Sequence, residues 1–215
     1  MYLNKEDILK AERIFRLNLI NSITGVKPAN LIGTQSKEGN SNLAIFSSVV
    51  HMGSNPALVG FFLRPNYEVR RHTYENILAT SYYTINQVPE SLITNAHYTS
   101  AKFEKEVSEF KVCNFNEEFA HGFPAPFVRE SQVKIGMKLV ESIPVELNKT
   151  MLIIGSVEHI IVPDEAIDSE GHINLQRTAS VGISGLNTYY SLRKEEKLPY
   201  ARVEEIPQLK SIPDA

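Results

Sequence analysis

The chain has 215 residues with 22 basic and 25 acidic side chains, a formal net charge of -3, one cysteine and no tryptophan. That length supports one sizeable domain with tails rather than two full domains, and the slightly acidic balance gives no overall basic field for nucleic acid. The lone Cys113 excludes an internal disulfide framework and a multi-cysteine zinc or iron–sulfur site, and it fits a reducing cytoplasm.

The opening MYLNKEDILKAERIF carries charges every few positions and has no apolar run of signal-peptide type. The longest apolar segment, Met151 to Gly155, falls far short of the roughly 18 residues of a membrane span. A soluble, cytoplasmic protein is the expectation.

Residues 5–22 place Ile8, Ala11, Ile14, Phe15, Leu19 and Ile20 near helical spacing, which predicts an amphipathic helix or two short ones with Asn4 as a cap. Gly25 and Pro28 break that pattern. A strand over Ala29–Gln35, a turn over Lys37–Asn40 with Gly39 free to take positive φ, and a returning strand over Asn42–Val50 read as a hairpin. After the Gly-Ser-Asn-Pro turn at 53–56, the near-continuous apolarity of ALVGFFLR predicts a strand buried on both faces.

A basic loop with Arg70 and Arg71 then leads to a helix, for which Thr73 is the candidate N-cap. Ser81–Asn86 reads as a strand by its β-branched and aromatic content, and Pro89–Ala96 as a short helix. Segment 97–125, with helical spacing only around Phe103 to Phe110, reads as a long surface excursion. Phe127–Val145 is predicted as one long strand, or as two with a bulge near Gly136, and Thr150–Val162 as another strand. A turn at Asp164–Asp168 and the segment Ser184–Ser191 close the domain. The Pro- and charge-rich stretch from Lys194 is expected to be poorly anchored.

Six or seven antiparallel strands at hairpin spacing, with few helices, argue for a mainly β, closed or partly closed barrel. No strand is followed by a Gly-x-Gly-x-x-Gly turn, which disfavours a dinucleotide-binding doubly wound sheet.

Two stretches carry candidate chemistry. Arg70, Arg71 and Thr73 lie at the start of a helix, where free N–H groups and the helix dipole suit a phosphate monoester. On a first turn Thr73 and Asn76 could face the same anion, although the same residues are compatible with an ordinary cap and a solvated loop. Ser47 and Ser48 sit in a core-directed strand, and buried hydroxyls left unpaired cost about 1–3 kcal/mol. Either a ligand's polar edge or neighbouring backbone must satisfy them. The six histidines show no i, i+4 pair, so no metal is expected. No Gly-x-Ser-x-Gly elbow or persuasive Cys/His arrangement points to a covalent hydrolase, no catalytic side chain is assigned, and Cys113 reads as a packing residue.

The ordered pieces KPANLIGT, KEGNSNLAIFSSV, SNPALVGFFLRP, RRHTYENI, YYTIN, AHYTSAKF with SEF, PFVRESQVKIGMKLVE, LIIGSVEHIIV and ISGLNTYY cover about residues 27–190. Together they resemble the flavin reductase-like proteins, the group that includes flavoredoxin-type proteins and the reductase components of two-component monooxygenases. The resemblance implies an antiparallel Greek-key FMN-binding split barrel over 27–192, preceded by a helical segment at 1–26 and followed by a tail at 193–215. It implies a homodimer with FMN near the subunit interface.

By that resemblance Phe46, Ser47, Ser48 and Val49 contact the flavin largely through backbone, while Arg71, Thr73 and Asn76 take the phosphate. Ser100, Ala101 and Phe103 belong to the segment that closes over the flavin, and Tyr189 lines the substrate side. His72 departs from the acidic or small residue of many relatives. The implied activity is electron transfer from NADH or NADPH through FMN to a flavin or other small acceptor, with a monooxygenase component as a conceivable partner. A flavin-binding electron carrier or store without its own turnover is the alternative, and a barrel that has lost the flavin is a third reading.

Overall fold

The computed structural model describes residues 1–65 and 70–209. In chain order the elements are α1 (Lys5–Lys10), α2 (Arg13–Ser22), β1 (Lys27–Pro28), β2 (Asn30–Gln35), β3 (Ser41–Phe46), β4 (Val49–Ser54), β5 (Ala57–Leu63), α3 (His72–Thr80), β6 (Tyr82–Gln87), α4 (Ile93–Tyr98), α5 (Glu109–Val112), β7 (Glu117–Glu118), β8 (Phe127–Val128), β9 (Lys134–Val145), β10 (Thr150–Ile161), β11 (Val181–Ser184) and β12 (Thr188–Ser191). Asn4 caps α1 reciprocally with Asp7, as expected from the sequence.

Seven strands form one antiparallel sheet in the order β3-β2-β6-β9-β10-β5-β4. Its edge strands, β3 and β4, are consecutive in the chain, so the sheet curls until they meet at Ser47–Ser48, and that seam splits the barrel. Here the structure corrects the sequence reading: Asn42–Val50 is not one strand. Its first half pairs with β2 and its second half with β5. Ser48 marks the change, accepting from Phe62 N at 3.3 Å and donating its hydroxyl to Phe62 O at 2.8 Å. The serines are therefore corner residues, half-buried rather than deep in the core.

Inside the barrel, Ile32, Phe61, Leu63, Ile77, Tyr83, Ile85, Met137 and Ile153 make one core. The opposite face of β2 and β3 carries a second, in which Leu31 and Leu43 meet Ala96 of α4, Phe110 of α5, Cys113, Phe115 and Val181 of the small sheet β1-β11-β12. Segment 97–125 is thus a surface excursion only in part: residues 100–107 are exposed apart from the half-buried Phe103, and the chain then returns to the core. Beyond the end of α4 its helix is confined to α5, and Phe110, Cys113, Phe115, Phe123 and Ala125 drive it into the core. Their apolar spacing is irregular because most of the segment is loop.

One other expectation changes. β5 is not buried on both faces: Phe62 is 42% exposed, because β5 has barrel core on one side only. Of the one strand or two expected over Phe127–Val145, the structure has two: β8, which pairs with β7, and the long β9. The register irregularity near Gly136 comes from β10, between Val157 and His159. Beyond β12, Lys197 pairs with Asp168 and Glu170 at 2.9 and 2.6 Å, so part of the 193–209 stretch is tied down. The lysine holds the Asp168 carboxyl down at about 2.

Candidate flavin site at the open edge of β3

Among the described residues, strand β3 has β2 on one side and no strand on the other. Its Leu43 N–H turns away from β2 and donates to Glu109 Oε2 at 3.0 Å. Antiparallel pairing alternates, so Ile45 also presents its N–H and C=O to the open edge. An edge of this kind offers a flat ligand a row of backbone donors and acceptors.

At the β3 start lies the first turn of α3. Arg71, not Thr73, is the N-cap, and it makes no side-chain capping bond. Thr73 lies within the helix and is 5% exposed; its Oγ1 accepts from Asn42 Nδ2 at 3.0 Å, which leaves the hydroxyl proton free to donate. Asn76 is buried too and donates to Thr34 Oγ1 at 3.1 Å. Both side chains therefore fasten α3 to β2 and β3, a role that helix spacing alone does not reveal.

Arg70 is bound bidentately by Glu75 at 2.8 and 2.7 Å. Arg71 has no carboxylate partner among the described residues; its Nε donates to Pro65 O at 3.3 Å. Burial and the neighbouring Arg64 pull its guanidinium below its ordinary value, yet such a group stays charged. Two guanidinium groups, Arg64 and Arg71, thus flank the start of a helix without a described counter-charge. Residues 66–69, part of the basic loop read in the sequence, lie outside the described residues.

At the other end of β3, Ile45, Phe103 and Tyr189 pack on the outer core. His97 Nδ1 lies 3.2 Å from Tyr189 Oη, and the two rings meet edge to face with centroids 6.0 Å apart. Burial pushes the Tyr189 phenol up. Ser100 and Ala101 follow α4 in an exposed turn, with Ser100 Oγ donating to His97 O at 2.7 Å and Ala101 N to Tyr98 O at 3.1 Å.

The structure thus packs Ile45, Phe103 and Tyr189 on the same outer core and sets Arg71, Thr73 and Asn76 at the start of β3. The side chain of Phe46 is elsewhere: it faces the barrel interior, edge-on to Phe61 at 5.0 Å, and Val49 packs against that same core. Only backbone of these two could reach a ligand on the outer edge. Asn42, Arg64, His97 and Glu109 were not singled out from the sequence. Asn42 and Glu109 had one usable signal, a polar residue inside or beside an apolar run, but their partners are 31 and 66 residues away.

Residues 26–179 match the family of flavin reductase like domains. The chain belongs to that family. A split-barrel protein of Shewanella frigidimarina, described as a candidate flavin reductase, is 46% identical and superposes with a TM-score of 0.90 over 94% of this chain and all of its own. Component B of nitrilotriacetate monooxygenase from Bacillus cereus (18% identical, TM-score 0.80, covering 92% of this chain and 98% of its own) shares the fold. So does flavoredoxin of Desulfovibrio vulgaris (17% identical, TM-score 0.74, 94% and 98%). The mainly β split barrel is therefore the architecture of a flavin reductase-like oxidoreductase family. Among the described residues no helix is long and apolar enough to cross a membrane, and no three His, Cys, Asp or Glu side chains gather as a metal site.

Proposed function

We propose that this protein binds FMN along the open edge of β3 and passes electrons from NADH or NADPH through it to a second flavin or another small acceptor. The observation that carries the reading is the Arg64–Arg71 pair at the start of α3, lacking a described counter-charge, beside an unpaired strand edge that runs to Phe103 and Tyr189. A phosphate dianion supplies the missing charge, and helix N–H groups and the Thr73 hydroxyl supply donors. Asn76 holds the turn in place. The backbone around Ile45 and the Phe46–Val49 corner offers hydrogen bonds to a heteroaromatic ring edge, while Phe103 and Tyr189 give it apolar cover and Ser100 and Ala101 border it.

When bound, FMN would supply the hydride and electron chemistry, and the protein would supply placement and exclusion of water. A homodimer belongs to this reading. Phe62, Leu152 and Ile143 stand in direct register across β5, β10 and β9, and Val50 and Met52 are also exposed on the neighbouring β4. A second copy is the occupant proposed for this apolar stripe. A monooxygenase component is a candidate acceptor of the electrons, and a cytoplasmic location suits the single reduced thiol.

The test is to load purified protein with FMN, add NADH or NADPH and a flavin acceptor, and follow nicotinamide absorbance. Sustained consumption is expected. Binding of FMN without consumption would overturn the reductase reading in favour of an electron carrier or flavin store.

A further inference from the structure

Between the two ends of the β3 edge lies Glu109, which is 5% exposed. A carboxylate accepts about four hydrogen bonds, yet among the described residues this one has only the Leu43 N–H and its own backbone N–H as donors, with the His72 side chain nearby. Ser108, the residue before it, has a buried Oγ with no partner among the described residues, although it holds the N-cap position of α5 where such hydroxyls ordinarily bond. Two adjacent polar groups are thus short of partners at one point of the edge. They lie between the Thr73 end and the Phe103–Tyr189 end.

The segment that leads into this point is loosely held. In residues 100–107 every side chain is exposed except the half-buried Phe103. Lys105 lies near Glu75 and Glu38, and Glu106 near Arg70, all at the surface. Both ends of the strap are fixed, by buried Thr99 and by Glu109 with Phe110. Such a segment can lift from the β3 edge while its ends stay in the core.

We propose that Ser108 and Glu109 form a hydroxyl-reading subsite on the β3 edge, which binds the polyol chain linking the ring and phosphate of the flavin. This rests on the flavin reading and adds two residues to it. A chain of vicinal hydroxyls supplies the donors that the carboxylate lacks and can both donate to and accept from the serine. A bare apolar linker supplies neither. The subsite therefore separates flavins by their side chain, independently of the phosphate.

The experiment compares binding of FMN, riboflavin and lumiflavin, which has a methyl group in place of the polyol, by fluorescence titration of wild type, Glu109→Ala, Glu109→Gln and Ser108→Ala. Glu109→Ala is expected to weaken FMN and riboflavin alike, by about ten- to a hundred-fold for a bond to a charged group, and lumiflavin by less than about twofold. Glu109→Gln keeps an acceptor for Leu43 N–H and should lie between. Ser108→Ala removes a hydroxyl that makes no bond among the described residues, so it should cost several-fold in FMN and riboflavin with no change in melting temperature. Equal losses for all three ligands in Glu109→Ala, or no change in Ser108→Ala, would overturn the subsite while leaving the flavin reading intact. Failure of wild type to bind any of the three would remove both.

Discussion

Replacing Arg71 and Thr73 together by alanine separates the phosphate from the rest of the ligand. Arg71 has no carboxylate partner among the described residues and is half-buried, so its removal costs the protein no described ion pair and relieves its repulsion with Arg64. Thr73 is different: its oxygen is the partner of Asn42 Nδ2, so alanine strands a buried amide at a cost of about 1–3 kcal/mol in stability. Each residue should contribute a charge-assisted bond worth about 1.5–3 kcal/mol to a bound phosphate. The two are neighbours and not additive, so about 3 kcal/mol, or a little over a hundred-fold in Kd, is the expected loss for FMN. Riboflavin, which lacks the phosphate, should weaken by no more than about threefold. Titration of both ligands by fluorescence reads the difference, and thermal unfolding reads the Asn42 penalty separately. Thr73→Ser, which retains the oxygen, should recover most of the stability. Equal losses for FMN and riboflavin would refute the placement of the phosphate at α3.

Three further outcomes follow from the packing. Gly33→Ala places a Cβ against Pro126 O and 2.7 Å from Thr84 Oγ1, two groups that hydrogen-bond to each other, so denaturant unfolding should show a loss of about 1–3 kcal/mol. Burial raises the Glu109 carboxyl above its ordinary value, with the backbone N–H groups and His72 opposing it. Its protonated form is thus favoured by the fold, and its contribution is complete below the unfolded value and lost as pH rises through the folded one. Melting temperatures between about pH 4 and pH 8 should fall less steeply in Glu109→Gln than in wild type, and parallel curves would contradict this. Phe62→Asp puts a charge in the centre of the exposed stripe and should convert a dimer to monomers by light scattering; an unchanged mass would place the interface elsewhere.

Much of the barrel was legible because β-branched and aromatic content, bounded by turn residues, marks β2, β6, β9 and β10 directly. Asn42–Val50 misled for a physical reason: a strand that changes partner at Ser47–Ser48 keeps its extended backbone, and the sequence carries no mark of the neighbour it pairs with. Segment 97–125 misled for the opposite reason. Its buried residues Phe110, Cys113, Phe115 and Phe123 sit in loops and a four-residue helix, where no periodicity reports burial. At the site, the residue types around Arg71 and Thr73 suggested an anion, but Asn42–Thr73 and Thr34–Asn76 are long-range bonds that only the fold discloses. Glu109 became visible once an open strand edge gave its carboxylate a reason to be buried.

The central claim is that one chain of this fold holds one FMN. Titrating FMN into the purified protein, with flavin fluorescence and absorbance followed together, tests it most directly. The account predicts quenching that saturates at one FMN per chain, with a yellow protein surviving gel filtration. A colourless protein, with FMN fluorescence undiminished at high protein concentration, would contradict it.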